Sequence, residues 1–195
     1  MAQIETYPEL VDTVWGTVQK MPRFTYKEVA SELGIPVSPS ESNPSFHYGI
    51  RQAINDLIDL KYCEAQKDLR LIWPSPNAPS NLPSQRGVIQ SSLYNLSTLQ
   101  ARLLQFIHQK TICKEDGIAF YNQSVGVSLD EASKVLLPIA PNAYSAGEEI
   151  HQALLNLQKH HLIKAVVPAN GYDMWVTFLG ACWLASHPIA PIVIS

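Results

Sequence analysis

Only three cysteines, Cys63, Cys113 and Cys182, occur in this chain, and all are far apart. Such spacing argues against a disulfide framework or a cysteine-based metal motif; each thiol suits a small buried position in a reducing compartment. Charge is also sparse, at 16% of residues with a formal net of −3. Residues 1–80 hold 7 basic against 10 acidic side chains, and residues 81–195 hold 7 of each. Avid, non-specific binding of phosphate backbones needs a positive surface, which disfavours that class and leaves room for one small basic face. No basic-then-apolar leader opens the sequence. The apolar run Met174–Ala185 is interrupted by Thr177 and is too short to span a bilayer, so no membrane partner and a cytoplasmic location are expected.

Catalytic signatures are missing as well. No serine sits in a Gly-x-Ser-x-Gly turn, no glycine-rich loop ends in Gly-Lys-Ser/Thr, and no cysteine is flanked as a nucleophile would be. Neither an enzyme nor a cofactor is expected. His151, His160 and His161 lie close together, but without an acidic or cysteine partner at ligand spacing they suit a solvent-facing helix end better than a metal site. The four tryptophans, Trp15, Trp73, Trp175 and Trp183, are dispersed and read as core, not as a stacking platform.

What is present is a repeat. Ile50-Arg51-Gln52-Ala53-Ile54-Asn55-Asp56-Leu57 leads into Tyr62-Cys63-Glu64-Ala65. At a constant offset of 100, Ile150-His151-Gln152-Ala153-Leu154-Leu155-Asn156-Leu157 leads into Leu162-Ile163-Lys164-Ala165. Five of the sixteen positions are identical and most others keep their polarity class. Two copies of one helix-into-strand unit follow.

The surrounding pattern extends the repeat. Pro8 suits a first helical position, and Leu10, Val11, Val14, Trp15 and Val18 follow at helical spacing. Thr25 with Glu28 forms a capping box for a short helix that stops at Gly34. Residues 35–45 read as a loop, followed by a helix from Pro44 or Phe46 to Leu60 with Phe46, Ile50, Ala53, Ile54 and Leu57 inward. His47, Tyr48, Arg51, Gln52, Asn55 and Asp59 make its outward face. Residues 62–66 and 69–73 read as a hairpin turning at Lys67-Asp68.

After a proline-rich linker, with a short strand expected within 87–90, the order recurs. Ser97 with Gln100 opens a helix, and residues 111–127 are an insertion whose Ile118–Tyr121 reads as a strand. Ser128 with Glu131 and Ser145 with Glu148 cap two further helices. Residues 162–167 and 174–178 are strands around Pro168–Gly171, and the apolar tail beyond should dock.

Helix, capped short helix, longer helix and two-stranded wing, twice over, resembles the winged-helix (winged helix-turn-helix) family. The fold expected is α+β, mainly α, with two tandem domains of three helices and a β-hairpin wing. Residues 1–76 form the first domain, 77–95 a linker, 96–180 the second domain and 181–195 a tail. The resemblance implies that the third helix enters the major groove of duplex DNA while the wing touches the backbone. On the first domain it implies His47, Tyr48, Arg51, Gln52 and Asn55 as base readers, with Lys27, Lys67 and Arg70 as phosphate contacts. Residues 21–30 also resemble the helix-turn-helix entry of alkyltransferase-type DNA-repair proteins. Their Pro-Cys-His-Arg motif is absent, so only the shape is implied.

Two functions follow. One is sequence-specific DNA binding and transcriptional regulation, with dimerisation or a protein partner through the second domain or the tail. The alternative is a protein–protein interaction module, as in the tandem winged helices of chromosome-segregation and vesicle-sorting complexes. Glu148 and Glu149, at the start of the repeated helix, repel phosphate and mark the second domain as a partner surface.

Overall fold

The computed structural model describes residues 4–35, 39–40, 43–44, 47–67, 71–82, 94–123, 125, 127–136, 146–166 and 173–192. Across these residues the protein is α+β and mainly α, with seven helices and four two-stranded sheets. Among the described residues no helix is long and apolar enough to cross a membrane. The chain forms two units. Unit 1 comprises Met1–Leu82 and Cys113–Phe120; unit 2 comprises Pro83–Ile112 and Tyr121–Ser195. The division differs from the one expected: residues 77–82 and 113–120 fall in unit 1, and residues 83–95 and 181–195, expected as linker and tail, fall in unit 2.

In unit 1, helix α1 (Tyr7–Val18) starts at a capping box in which the Thr6 hydroxyl accepts from the Glu9 amide and the Glu9 carboxylate accepts from the Thr6 amide. It buries Tyr7, Leu10, Val11, Val14, Trp15 and Val18. The expected Thr25–Glu28 box opens α2 (Tyr26–Glu32), and Gly34, at φ +64°, ends it. Residues 35–45, expected as loop, contain the two-residue strands β1 (Pro39–Ser40) and β2 (Asn43–Pro44), paired antiparallel. Helix α3 (Tyr48–Asp59) begins later than expected, because His47 is its N-cap. Strands β3 (Cys63–Ala65) and β4 (Ile72–Pro74) pair with Cys63 opposite Pro74 and Ala65 opposite Ile72. The expected turn residue Asp68 lies outside the described residues. Phe24, just ahead of α2, exchanges backbone hydrogen bonds of 2.8 and 3.0 Å with Ile72, adding a third extended segment to this hairpin.

Between α4 (Thr98–Thr111) and α5 (Leu129–Leu136), strands β5 (Ile112–Glu115) and β6 (Ile118–Tyr121) turn at Asp116-Gly117, both with positive φ. That is the backbone of a two-residue hairpin turn, which asparagine or aspartate before glycine favours. Residues 113–120 complete unit 1: Ala119 N–H donates to the Ile4 carbonyl at 3.3 Å, and Lys114 lies 3.4 Å from Glu5.

In unit 2, Ser97 and Gln100 form the expected capping box of α4. At α5 the Ser128 hydroxyl accepts from the Glu131 amide, but the Glu131 carboxylate is held by Lys110, so the expected reciprocal box yields to an ion pair. Helix α6 (Ala146–Lys159) leads into β7 (Ile163–Val166), which pairs with β8 (Asp173–Val176). Ser145, expected to cap α6, lies outside the described residues, as do the strand expected within 87–90 and the turn Pro168–Gly171. Residues expected as strand end and tail instead form α7 (Phe178–Ser186), capped by Thr177 and buried along Phe178–Trp183. Beyond it the chain runs along α4: Arg102 donates to the Ala190 carbonyl at 2.8 Å, and the Gln109 amide group contacts the Ile192 backbone.

The two repeated helices end alike. Tyr62 N–H donates to Leu57 O at 2.8 Å and Lys61 N–H to Ile58 O at 3.0 Å. Leu162 N–H donates to Leu157 O and His161 N–H to Gln158 O, both at 2.9 Å. Lys61 (φ 65°) and His161 (φ 57°), exactly one repeat apart in number, hold the left-handed position of this helix stop.

Candidate functional site

The five expected base readers and three expected phosphate contacts do not share one surface. Lys27 on α2, Tyr48 and Arg51 on α3, and Lys67 beyond β3 are exposed. Asn55 is half-buried and accepts a 3.0 Å hydrogen bond from the Tyr26 hydroxyl. Burial raises the Tyr26 phenol above its ordinary value, opposed by the nearby positive charge of Arg51. Tyr26, Arg51 and Asn55 are thereby brought together on the α2–α3 face, with Lys27 next in the chain. Arg70 lies outside the described residues.

His47 and Gln52 are corrections. Expected on the outward face, they are 6% and 3% exposed. His47 Nδ1 accepts from the Gly49 amide at 3.1 Å, which makes the imidazole a cap. Its ring meets Phe120 of β6 edge-on, with centroids 5.5 Å apart. A Cβ built on Gly49 would lie 3.1 Å from the Phe120 Cβ, so a larger residue there would push the ring back by a few tenths of an ångström. Gln52 sits one turn before Asp56, on the side of α3 that meets α1, where the Tyr7 hydroxyl donates to Asp56 at 2.9 Å. Helix α3 thus has a second buried stripe, Gly49, Gln52 and Asp56, built from small and polar residues. What remains outside is a single row: Tyr48, Arg51, Asn55 and Asp59.

Sequence reasoning missed Phe120 as a partner of α3. The available signal was Asp116-Gly117 followed by Ile118-Ala119-Phe120-Tyr121, a strong hairpin cue.

Helix α6 is more open than its repeat partner. It buries Ile150, Ala153, Leu154 and Leu157, whereas Gly147, Glu148, Gln152, Leu155, Asn156, Gln158 and Lys159 are exposed. Leu155, at 42%, is one of the chain's large exposed apolar side chains. Its first half and the first turn of α4 border an open groove of about 660 Å³, with Leu99 and Ala153 as apolar lining and Glu148, Glu149, Gln152 and Asn156 as polar lining. Gln152 Nε2 donates to Glu148 Oε1 at 3.0 Å. Of the thiols, Cys63 is buried and its pKa is pushed up to about 12, which keeps it protonated and unreactive at neutral pH.

No protein-family model, curated protein or solved structure matches the chain.

Proposed function

We propose that this is a non-enzymatic tandem winged-helix protein that works as a protein–protein interaction module, with the α6 face of unit 2 as its principal surface. The observation that carries this reading is the contrast between the two repeated helices. An α-helix in a major groove reads base edges through three or four side chains of one face, and those side chains must be free to reach the bases. Helix α3 offers Tyr48, Arg51, Asn55 and Asp59, of which Asn55 is engaged by the Tyr26 hydroxyl and Asp59 is acidic, and two of its five expected readers, His47 and Gln52, lie in the interior. Helix α6 has the broader face, but that face begins with Glu148 and Glu149 and carries Leu155, a composition suited to a protein partner. Unit 1, which holds all the expected DNA contacts, has 8 basic and 12 acidic residues. The backbone pairing of Phe24 with Ile72 supports the winged-helix reading, because it joins the segment between the first two helices to the wing.

Sequence-specific DNA binding is the second reading, favoured by exposed Arg51 beside Tyr26 and Asn55 with Lys27 adjacent. Fluorescence anisotropy with random duplex DNA at low salt separates the two. The interaction reading expects no saturable complex, and no change on Arg51→Ala. A salt-sensitive complex that weakens on Arg51→Ala would replace it with the DNA reading.

A further inference from the structure

The two repeats supply an internal comparison for the groove of unit 2. In unit 1 the corresponding positions are the first turn of α1 and residues 48–56 of α3. Tyr7, at 1% exposure, is buried there and its hydroxyl reaches Asp56. Phe120, delivered by an extended strand, closes the end beside Gly49 and His47. In unit 2 the first turn of α4 offers Thr98 and Leu99, neither of which combines a ring with a donor as Tyr7 does. Asn156, the counterpart of Asp56, is exposed, and so is Gln152, the counterpart of buried Gln52. The groove lined by Ser97, Leu99, Glu149, Gln152, Ala153 and Asn156 therefore contains the counterparts of Gly49 and Asp56, which in the other repeat meet Phe120 and Tyr7.

We propose that this groove binds a segment of a partner protein that presents a tyrosine or phenylalanine beside a lysine or arginine. The aromatic requirement comes from the internal comparison. A ring against Leu99 and Ala153 buries apolar area, and a tyrosine hydroxyl meets the Asn156 amide as Tyr7 meets Asp56. The basic requirement comes from charge: among the described residues Glu148 and Glu149 line the groove and no lysine or arginine does. A cationic neighbour of the aromatic residue forms charge-assisted hydrogen bonds there, with its methylenes along the apolar lining. The same carboxylates reject a nucleic-acid phosphate. This inference rests on the interaction-module reading and specifies its ligand.

The test is selection of short random peptides from a displayed library on the full chain, followed by affinity measurement with the selected peptides. Expected are sequences with an aromatic residue next to a basic one. Their binding should weaken by about tenfold with Gln152→Trp, which fills the groove from an exposed position, and with the Glu148→Gln/Glu149→Gln pair. Circular dichroism melts confirm that each variant folds. Selected peptides lacking an aromatic or a basic residue, peptides indifferent to both variants, or no selection above background would each overturn the proposal. Peptides lost with Leu155→Asp but indifferent to Gln152→Trp would remove the groove and leave the interaction module standing. Arg51-dependent binding of duplex DNA would remove the module itself.

Discussion

The Tyr7 hydroxyl donates a 2.9 Å hydrogen bond to the Asp56 carboxyl group in the interior of unit 1, joining the first turn of α1 to the second half of α3. Both side chains are below 5% exposure, so water cannot replace a lost partner. Tyr7→Phe keeps the ring and removes the donor. It should cost about 1–3 kcal/mol, the usual cost of taking a partner from a buried polar group. Urea denaturation of Tyr7→Phe, Asp56→Asn and the double variant checks this, since the two single effects should not add if the bond is the shared cause. Full additivity would show that the pair does not act through this contact.

Lys61 and His161 hold left-handed backbone, at φ 65° and 57°, that side chains with a Cβ disfavour. Both are exposed, so little packing is lost when they are replaced. Lys61→Gly and His161→Gly should each stabilise the protein, by about 0.5–1 kcal/mol after the greater unfolded-state entropy of glycine is counted. The readout is a higher denaturation midpoint with an unchanged slope. A lower midpoint at either site would count against the shared helix stop.

Gly180 in α7 allows a close approach of helix to backbone. An added Cβ would stand 2.1 Å from the Leu162 carbonyl oxygen, an atom that also accepts from the Thr177 amide at 3.1 Å. Backbone cannot swing aside as a side-chain end can. Gly180→Ala should therefore destabilise unit 2 by about 3 kcal/mol, at the upper end of overpacking effects. Thermal melting followed by near-UV circular dichroism, which reports tertiary packing around the aromatic side chains, checks it, and an unchanged melt would refute the contact.

His108 is hydrogen-bonded to the Tyr121 hydroxyl at 2.8 Å, and burial lowers its pKa below the ordinary 6.5. The folded state therefore prefers the neutral ring. That contribution to stability is fully present above the unfolded value near 6.5 and is lost as pH falls below it towards the folded value. Between about pH 7.5 and 5.5 the wild-type protein should lose stability with a slope of at most about 1.4 kcal/mol per pH unit from this group. In His108→Gln, whose amide still offers Tyr121 a polar partner, that part of the slope should vanish. Equal slopes for the two proteins would rule the histidine out as the cause.

Much of the architecture was legible in local chemistry. Thr25 with Glu28 and Ser97 with Gln100 close capping boxes because hydroxyl, carboxylate or amide, and orphan N–H groups stand three residues apart, a distance the chain alone sets. Where tertiary partners compete, local rules lose. Lys110 takes the Glu131 carboxylate that the Ser128 box needed. The Met174–Trp183 stretch becomes strand, cap and helix because Thr177 interrupts it and its hydroxyl accepts from the Gly180 amide.

The candidate site divides along the same line. Residue order by itself determined the sequence repeat, the α+β composition, the capping boxes at Thr25 and Ser97, and the acidic start of the second repeated helix, all of which depend on neighbours within a few positions. Which side chains of α3 face outward was decided by tertiary structure alone. Hydrophobic periodicity reveals a buried stripe only when that stripe is apolar, and Gly49, Gln52 and Asp56 are not. Asp56 is met by Tyr7, at the start of α1, and Gly49 by Phe120, some 70 residues further along the chain than α3's first turn. No window along the sequence spans those contacts, and so the closed α3 and the open α6 emerge only once the chain has folded.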